Sequence, residues 1–173
     1  MTAAETLLAR IQKEGSIDGD VIKVDSFLNH MVDPDLFEIM AADLAERFKG
    51  RGANKILTAE TSGIMLAMAV AMKMGIPFIY AKKKRPITMT EYYAAASYSF
   101  TKQESTTLYV SKEVMGAEDK VLFIDDFLAN GSTYKAIEEL MEQSGADLVG
   151  SAVIINKSDR RDIESILTLD DLN

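Results

Sequence analysis

The chain has 173 residues, 47% hydrophobic and 27% charged, a balance that suits one soluble domain and excludes wholesale disorder. A net charge of −8 disfavours nonspecific nucleic-acid binding, and no apolar run of about twenty residues is present to span a bilayer. Zero cysteines and a single histidine, His30, exclude disulfides, thiolate catalysis and multi-histidine metal sites, so any metal must take oxygen ligands.

Thr2 and Glu5 have capping-box spacing, and Leu7, Leu8 and Ile11 form one apolar stripe, so a first helix is expected from Thr2 until Gly15. Its amino-terminal residues lack the basic-then-apolar pattern of a secretory signal, and a cytoplasmic location is the expectation. A turn at Asp18-Gly19-Asp20 leads into a short extended stretch, Val21 to Val24, and then a loop holding Asn29 and His30. Asp33-Pro34 opens a second helix to about Gly50. Lys55 to Ala59 reads as a strand, Glu60 to Gly63 as a loop, Ile64 to Met74 as an apolar helix closed by Gly75, and Pro77 to Ala81 as another strand. Lys82 to Ser105 reads as the longest irregular polar region, with alternation near Tyr98 and Phe100, after which Thr106 to Ser111 returns as a strand. The run 121–128 is a buried-strand pattern, Ser132 to Ser144 a helix closed by Gly145, and Leu148 to Ile155 a further apolar strand. Ile163 to Leu167 is a candidate final strand. Strands alternating with helices predict an α/β fold, a mostly parallel twisted sheet flanked by helices.

The most informative stretch is Val121 to Thr133. A hydrophobic strand delivers Asp125 and Asp126 to the sheet edge where alternating α/β folds bind ligands. The turn Ala129-Asn130-Gly131-Ser132-Thr133 is small enough for backbone N–H groups to wrap a phosphate, with a helix dipole behind it. An ordinary capped helix would explain Ser132 but gives no reason for two adjacent carboxylates. Glu60-Thr61-Ser62-Gly63 occupies an equivalent strand-to-helix position and is a second candidate anion loop; taken alone it is also an ordinary turn. Lys82-Lys83-Lys84-Arg85 is a positive island in an acidic chain, at a strand exit where a solvated charge run is the alternative.

The stretch 121–133 resembles the phosphoribosyl diphosphate signature of the type I phosphoribosyltransferases, and its string Asp-Asp-Phe-Leu-Ala-Asn-Gly is similar to their bacterial xanthine phosphoribosyltransferase branch. Lys23 to His30 is similar to that branch's base-recognition segment and Ser99 to Gln103 to part of its mobile loop; the likeness runs from about Leu8 to Lys157. The resemblance implies transfer of 5-phosphoribosyl from 5-phospho-α-D-ribose 1-diphosphate to N9 of xanthine, in purine salvage, by a homodimer using substrate-bound Mg²⁺. It implies a hood from residues 15–32 and 157–173 and a mobile loop over 82–105, with Tyr92, Tyr93, Tyr98 and Phe100 in the loop or in a subunit contact.

The implied roles are Asp125 and Asp126 on the ribose, Lys83 on the diphosphate with Glu60 to Gly63, and Ala129 to Thr133 around the 5′-phosphate. The base would meet Phe127, Ile22, Asn29 and Lys157, although without the family Asn29 is a loop residue, Lys157 a solvated lysine and Phe127 a core side chain. No protein side chain is expected to ligate a metal directly. An ammonium at Lys157 suits a 6-oxopurine and mispairs with adenine's 6-amino group. Guanine or hypoxanthine as acceptor, and a noncatalytic sensor of phosphoribosyl diphosphate, stand as alternatives. A helix-sized piece that the branch carries before its last strand is absent or much shortened after Lys157.

Overall fold

The structure is a computed structural model and describes residues 1–99 and 102–173. Helix α1 (Ala3–Glu14) starts at a complete capping box: Thr2 Oγ1 accepts the Glu5 N–H at 3.1 Å and Glu5 Oε2 accepts the Thr2 N–H at 2.7 Å. Strands β1 (Ser16–Asp18) and β2 (Val21–Lys23) pair as a small antiparallel hairpin, where an extended stretch over 21–24 alone was expected. β1 is exposed throughout, so it has no burial pattern to leave in the sequence. The expected loop with Asn29 is instead a wide helical turn, Asp25–Asn29, which forms because it buries Phe27 and Leu28. In α2 (Pro34–Arg47), Asp33 Oδ1 caps the N–H groups of Asp35 and Leu36, and Pro34 supplies a preset first turn.

The central sheet comprises β3 (Lys55–Ala59), β4 (Phe78–Ala81), β7 (Lys120–Leu128), β8 (Asp147–Asn156) and β9 (Glu164–Thr168). All neighbours pair in parallel, in the order β4-β3-β7-β8-β9. Both faces are covered, which is why β7 and β8 read as nearly continuous apolar runs. Ile56, Leu122, Ile124 and Ile154 point into one core with α1, α2 and α3 (Ile64–Met74); Leu57, Val121, Phe123 and Val153 point into the other with α4 (Ser132–Ser144). From β3 the chain crosses through α3 to β4 on one side, and from β7 through α4 to β8 on the other. Opposite directions of travel with right-handed crossovers place those helices on opposite faces. The β3/β7 boundary is therefore the topological switch point.

The expected irregular region 82–105 is corrected by strand β5 (Tyr92–Ser99), which pairs antiparallel with β6 (Glu104–Ser111). Cross-strand packing, with Tyr92 edge-on to Tyr109 at 5.6 Å and Ala95 and Leu108 buried, holds a segment whose composition reads as loop. Phe100, named with the loop aromatics, lies outside the described residues. β9 is the expected final strand; no helix intervenes between β8 and β9. Among the described residues no helix is long and apolar enough to cross a membrane.

Candidate active site

Pairing between β7 and β3 stops at Phe123 opposite Leu57, whereas β7 stays paired with β8 as far as Leu128. The sheet thus splits at the switch point, and a cavity of about 490 Å³ occupies the opening. Asp125 and Asp126 line it from inside β7, not from the strand's end as the sequence suggested, because the ladder to β8 carries the strand two residues further. Successive strand residues normally face opposite ways. Here each carboxylate folds forward onto the next residue: Asp125 Oδ1 accepts the Asp126 N–H at 2.9 Å and Asp126 Oδ1 accepts the Phe127 N–H at 2.8 Å. Both acids thereby reach one cavity.

Burial pushes the Asp125 carboxyl well above the usual carboxylate range, and the adjacent Asp126 charge pushes the same way. The Asp126 N–H and the Lys83 ammonium oppose that rise without cancelling it. Gly63 is what lets Asp125 sit there. Its backbone is ordinary α, but a Cβ on it would overlap both Asp125 Oδ1 and Thr58 Oγ1.

Two helices start beside the cavity, and both start at glycine: α3 at Gly63 and α4 at Gly131. Neither cap residue has a side chain; the Ile64 N–H donates to the Thr61 carbonyl at 3.2 Å, and the positive dipole ends of both helices face the cavity side. Gly131 has φ 80°, the left-handed region that favours glycine, and this bends the 129–133 turn into α4. Asn130 Oδ1 accepts the Ser132 N–H at 3.0 Å. Asn130, Ser132 and Thr133 line the main cavity, while Ala129 and Gly131 line a contiguous hollow of about 110 Å³ with Asp125 and Phe127.

Glu60, Thr61 and Ser62 form the opposite wall. Glu60 Oε2 accepts the Lys83 N–H at 3.0 Å, tying the loop after β3 to the segment after β4. The basic cluster is divided by its packing. Lys83 lines the cavity, whereas Lys82 lies 4.8 Å from the Tyr80 ring centroid and the Arg85 guanidinium 5.0 Å from that of Tyr92.

Phe127 lines the cavity, and Lys157 Nζ lies 5.1 Å from its ring centroid while donating to the Asp20 carbonyl at 2.9 Å. That carbonyl belongs to the turn before β2, whose Ile22 is buried in the core that Phe127 packs against. Lys157 thus borders the Phe127 end and Ile22 packs in the core beside it, but none of Ile22, Asn29 and Lys157 lines the main cavity itself. Asn29 Oδ1 is buried without a hydrogen-bond partner, an acceptor ready for a donor.

The hairpin, which contains most of the expected mobile loop 82–105, supplies a wall whose individual residues the sequence did not name as site residues. Ser97, Ser99, Glu104 and Thr106 all line the cavity, as does Lys102. Their pairing, Ser97 opposite Thr106 and Ser99 opposite Glu104, puts the four on one face; period-two spacing was the available signal. Among the described residues no three His, Cys, Asp or Glu side chains converge as a metal cage. Two neighbouring carboxylates facing a cavity beside two helix starts would nevertheless suit a divalent ion that arrives on phosphate oxygens.

A family model described as the phosphoribosyl transferase domain matches residues 6–168. The chain is 44% identical over 154 residues to a protein of Heliobacterium modesticaldum named xanthine phosphoribosyltransferase, covering 88% of this chain and 82% of that one. It is 45% identical to the protein of that name from Geobacillus thermodenitrificans, covering 88% and 79%. Among solved structures, adenine phosphoribosyltransferase from Thermoanaerobacter pseudethanolicus superimposes with a TM-score of 0.77 at 21% identity, covering 93% of this chain and 99% of that one. At that identity the likeness speaks for the fold alone.

Proposed function

The chain belongs to the phosphoribosyl transferase family, and on that premise we propose that it transfers 5-phosphoribosyl from 5-phospho-α-D-ribose 1-diphosphate to N9 of xanthine, releasing diphosphate and giving xanthosine 5′-monophosphate. The observation that carries this reading is the cavity at the switch point, which gathers two anion loops, a lysine and a carboxylate pair from separate parts of the chain.

The 5′-phosphate sits in the 129–133 turn against the start of α4, with the ribose hydroxyls on Asp125 and Asp126. The 1-diphosphate lies between residues 60–63 and Lys83, with Lys102 beside it. The base lies on Phe127, its 6-oxygen accepting from Lys157, with Ile22 and Asn29 closing that end. Displacement at the anomeric carbon passes through an oxocarbenium-like state, for which glycoside hydrolysis is the nearest analogue. A carboxylate held short of water, as Asp125 is, gains more from a cation forming beside it than from the neutral sugar. Its stabilisation is therefore largest in the transition state. Asp125 and Asp126 would be the carboxylates to face a Mg²⁺ ion brought in on the diphosphate, and such an ion would supply charge neutralisation on the leaving group. Closure of hairpin β5–β6, as the mobile part of 82–105, excludes water from the sugar cation, and residues 15–32 and 157–173 form the hood over the base. The proposal includes a homodimer working in the cytoplasm.

The test is turnover with phosphoribosyl diphosphate, Mg²⁺ and, separately, xanthine, guanine, hypoxanthine and adenine, following diphosphate and nucleotide. Preference for xanthine is expected, and adenine should fail. Preference for guanine or hypoxanthine would reassign the acceptor, and saturable phosphoribosyl diphosphate binding without turnover would make the chain a sensor.

A further inference from the structure

Parallel strands β8 and β9 are joined by residues 157–163 alone. A crossover of this kind ordinarily carries a helix that packs over the sheet and fixes both strand ends. Side chains take that place here. Buried Asn156 accepts at Oδ1 from the Ser158 N–H and the Ser158 hydroxyl, each at 2.8 Å, and its Nδ2 donates to the Arg160 carbonyl at 2.8 Å. Ser158 Oγ in turn accepts the Arg160 N–H at 3.2 Å. The turn is closed on itself with Lys157 inside it.

Arg160 fastens this turn to α4. Its guanidinium makes two bonds to Asp162, at 3.0 and 2.6 Å, approaches Glu138 at 3.5 Å and lies 4.5 Å from the Tyr134 ring centroid. Tyr134 is itself fixed, its hydroxyl 2.9 Å from Ser151 Oγ and its ring edge-on to Phe123 at 5.5 Å. On the other side the Lys157 N–H donates to the Leu128 carbonyl at 2.7 Å, and its ammonium stands over Phe127. Isolated exposed ion pairs contribute little. A forked pair that also stacks on a buried ring is the better-ordered case.

We propose that Arg160 is a positioning residue for the base end of the site: by clamping the helix-free crossover to α4, it fixes the point from which Lys157 reaches over Phe127. It thus governs affinity for the 6-oxopurine while lining no part of the cavity. The inference rests on the reading of Lys157 as a base contact.

The test measures both substrates' KM, kcat and thermal melting for the full chain carrying Arg160→Ala, Lys157→Ala and the two together. Arg160→Ala should raise KM for xanthine about fivefold, leave KM for phosphoribosyl diphosphate and kcat within about twofold, and add nothing on the Lys157→Ala background, as expected of residues acting through one contact. Arg160→Lys, which lacks the fork, should not restore the wild-type KM. If Arg160→Ala fails to fold, Asp162→Asn should show the same xanthine-selective change at smaller size. Equal changes in both KM values, or effects that add to Lys157→Ala, would overturn the proposal in favour of general stabilisation. Should Lys157→Ala leave the xanthine KM unchanged in an active enzyme, the base-contact reading fails and takes the inference with it. A raised KM in Lys157→Ala beside an unchanged one in Arg160→Ala defeats the clamp alone.

Discussion

Asp125 is held where its charge is poorly solvated and next to another carboxylate, so its folded-state pKa lies above that of the unfolded chain. For an acid shifted in that direction the folded state binds the extra proton. The associated stability is present at pH below the unfolded value and is lost as pH rises through the raised one. Asp125→Asn removes the penalty and should raise Tm at neutral pH. Melting across pH checks it: the fall in stability on leaving acid should flatten in Asp125→Asn and be complete at lower pH in Asp126→Asn. Activity should move the other way, with Asp125→Asn/Asp126→Asn losing at least about 10²-fold in kcat/KM while remaining folded by circular dichroism. Gly63→Ala tests the fit beside this acid. The added methyl group must displace Asp125 or Thr58, at about 1–3 kcal/mol by denaturant titration and with a loss of turnover, although its φ of −74° suits alanine.

At the scale of elements, hairpin β5–β6 is joined to β4 by backbone bonds between Tyr109 and Lys82 and to α4 by one side chain. Gln143 Oε1 accepts the Ala94 N–H at 3.2 Å and its Nε2 donates to the Ala94 carbonyl at 2.7 Å, pairing with β5 as a neighbouring strand would. Gln143→Ala should cost about 1 kcal/mol and speed amide exchange along residues 92–99 while leaving β7 protected, as hydrogen-exchange mass spectrometry can read. This dependence also explains what the sequence concealed. Caps and apolar periodicity make α1, α2, α3 and the buried strands β3, β7 and β8 legible, because each records its own burial. β1 and β5 are made by their partners, and Ser, Ala and Tyr in alternation resemble loop until the pairing register is known. The site divides likewise. Asp125, Asp126 and the 129–133 turn are contiguous and announce themselves, whereas Ser97, Ser99, Glu104 and Thr106 are ordinary polar residues until pairing aims them at one cavity. Lys157 and Asn29 were named through the family resemblance alone, and neither lines that cavity.

Across the whole molecule, several apolar side chains stay exposed outside the two cores, among them some on α3 and on the edge strand β4. Met68 and Met72, one turn apart on α3, are 52% and 74% exposed, and Tyr80 on the edge strand is 38% exposed. Exposed apolar surface of this kind marks contact surfaces, and it is where the proposed homodimer would close. Met72→Glu should shift sedimentation toward monomer at micromolar concentration with Tm little changed. An unaltered sedimentation coefficient would move the subunit contact to another face.

The bond from Ser132 N–H to Asn130 Oδ1 has a further consequence. On the proposed function, this amide oxygen rests on a donor that the 5′-phosphate would also seek, so it would act as a placeholder. The phosphate would exchange one acceptor for another instead of ordering a loose loop, and on release the same oxygen would re-cover the N–H, lowering the cost of letting go.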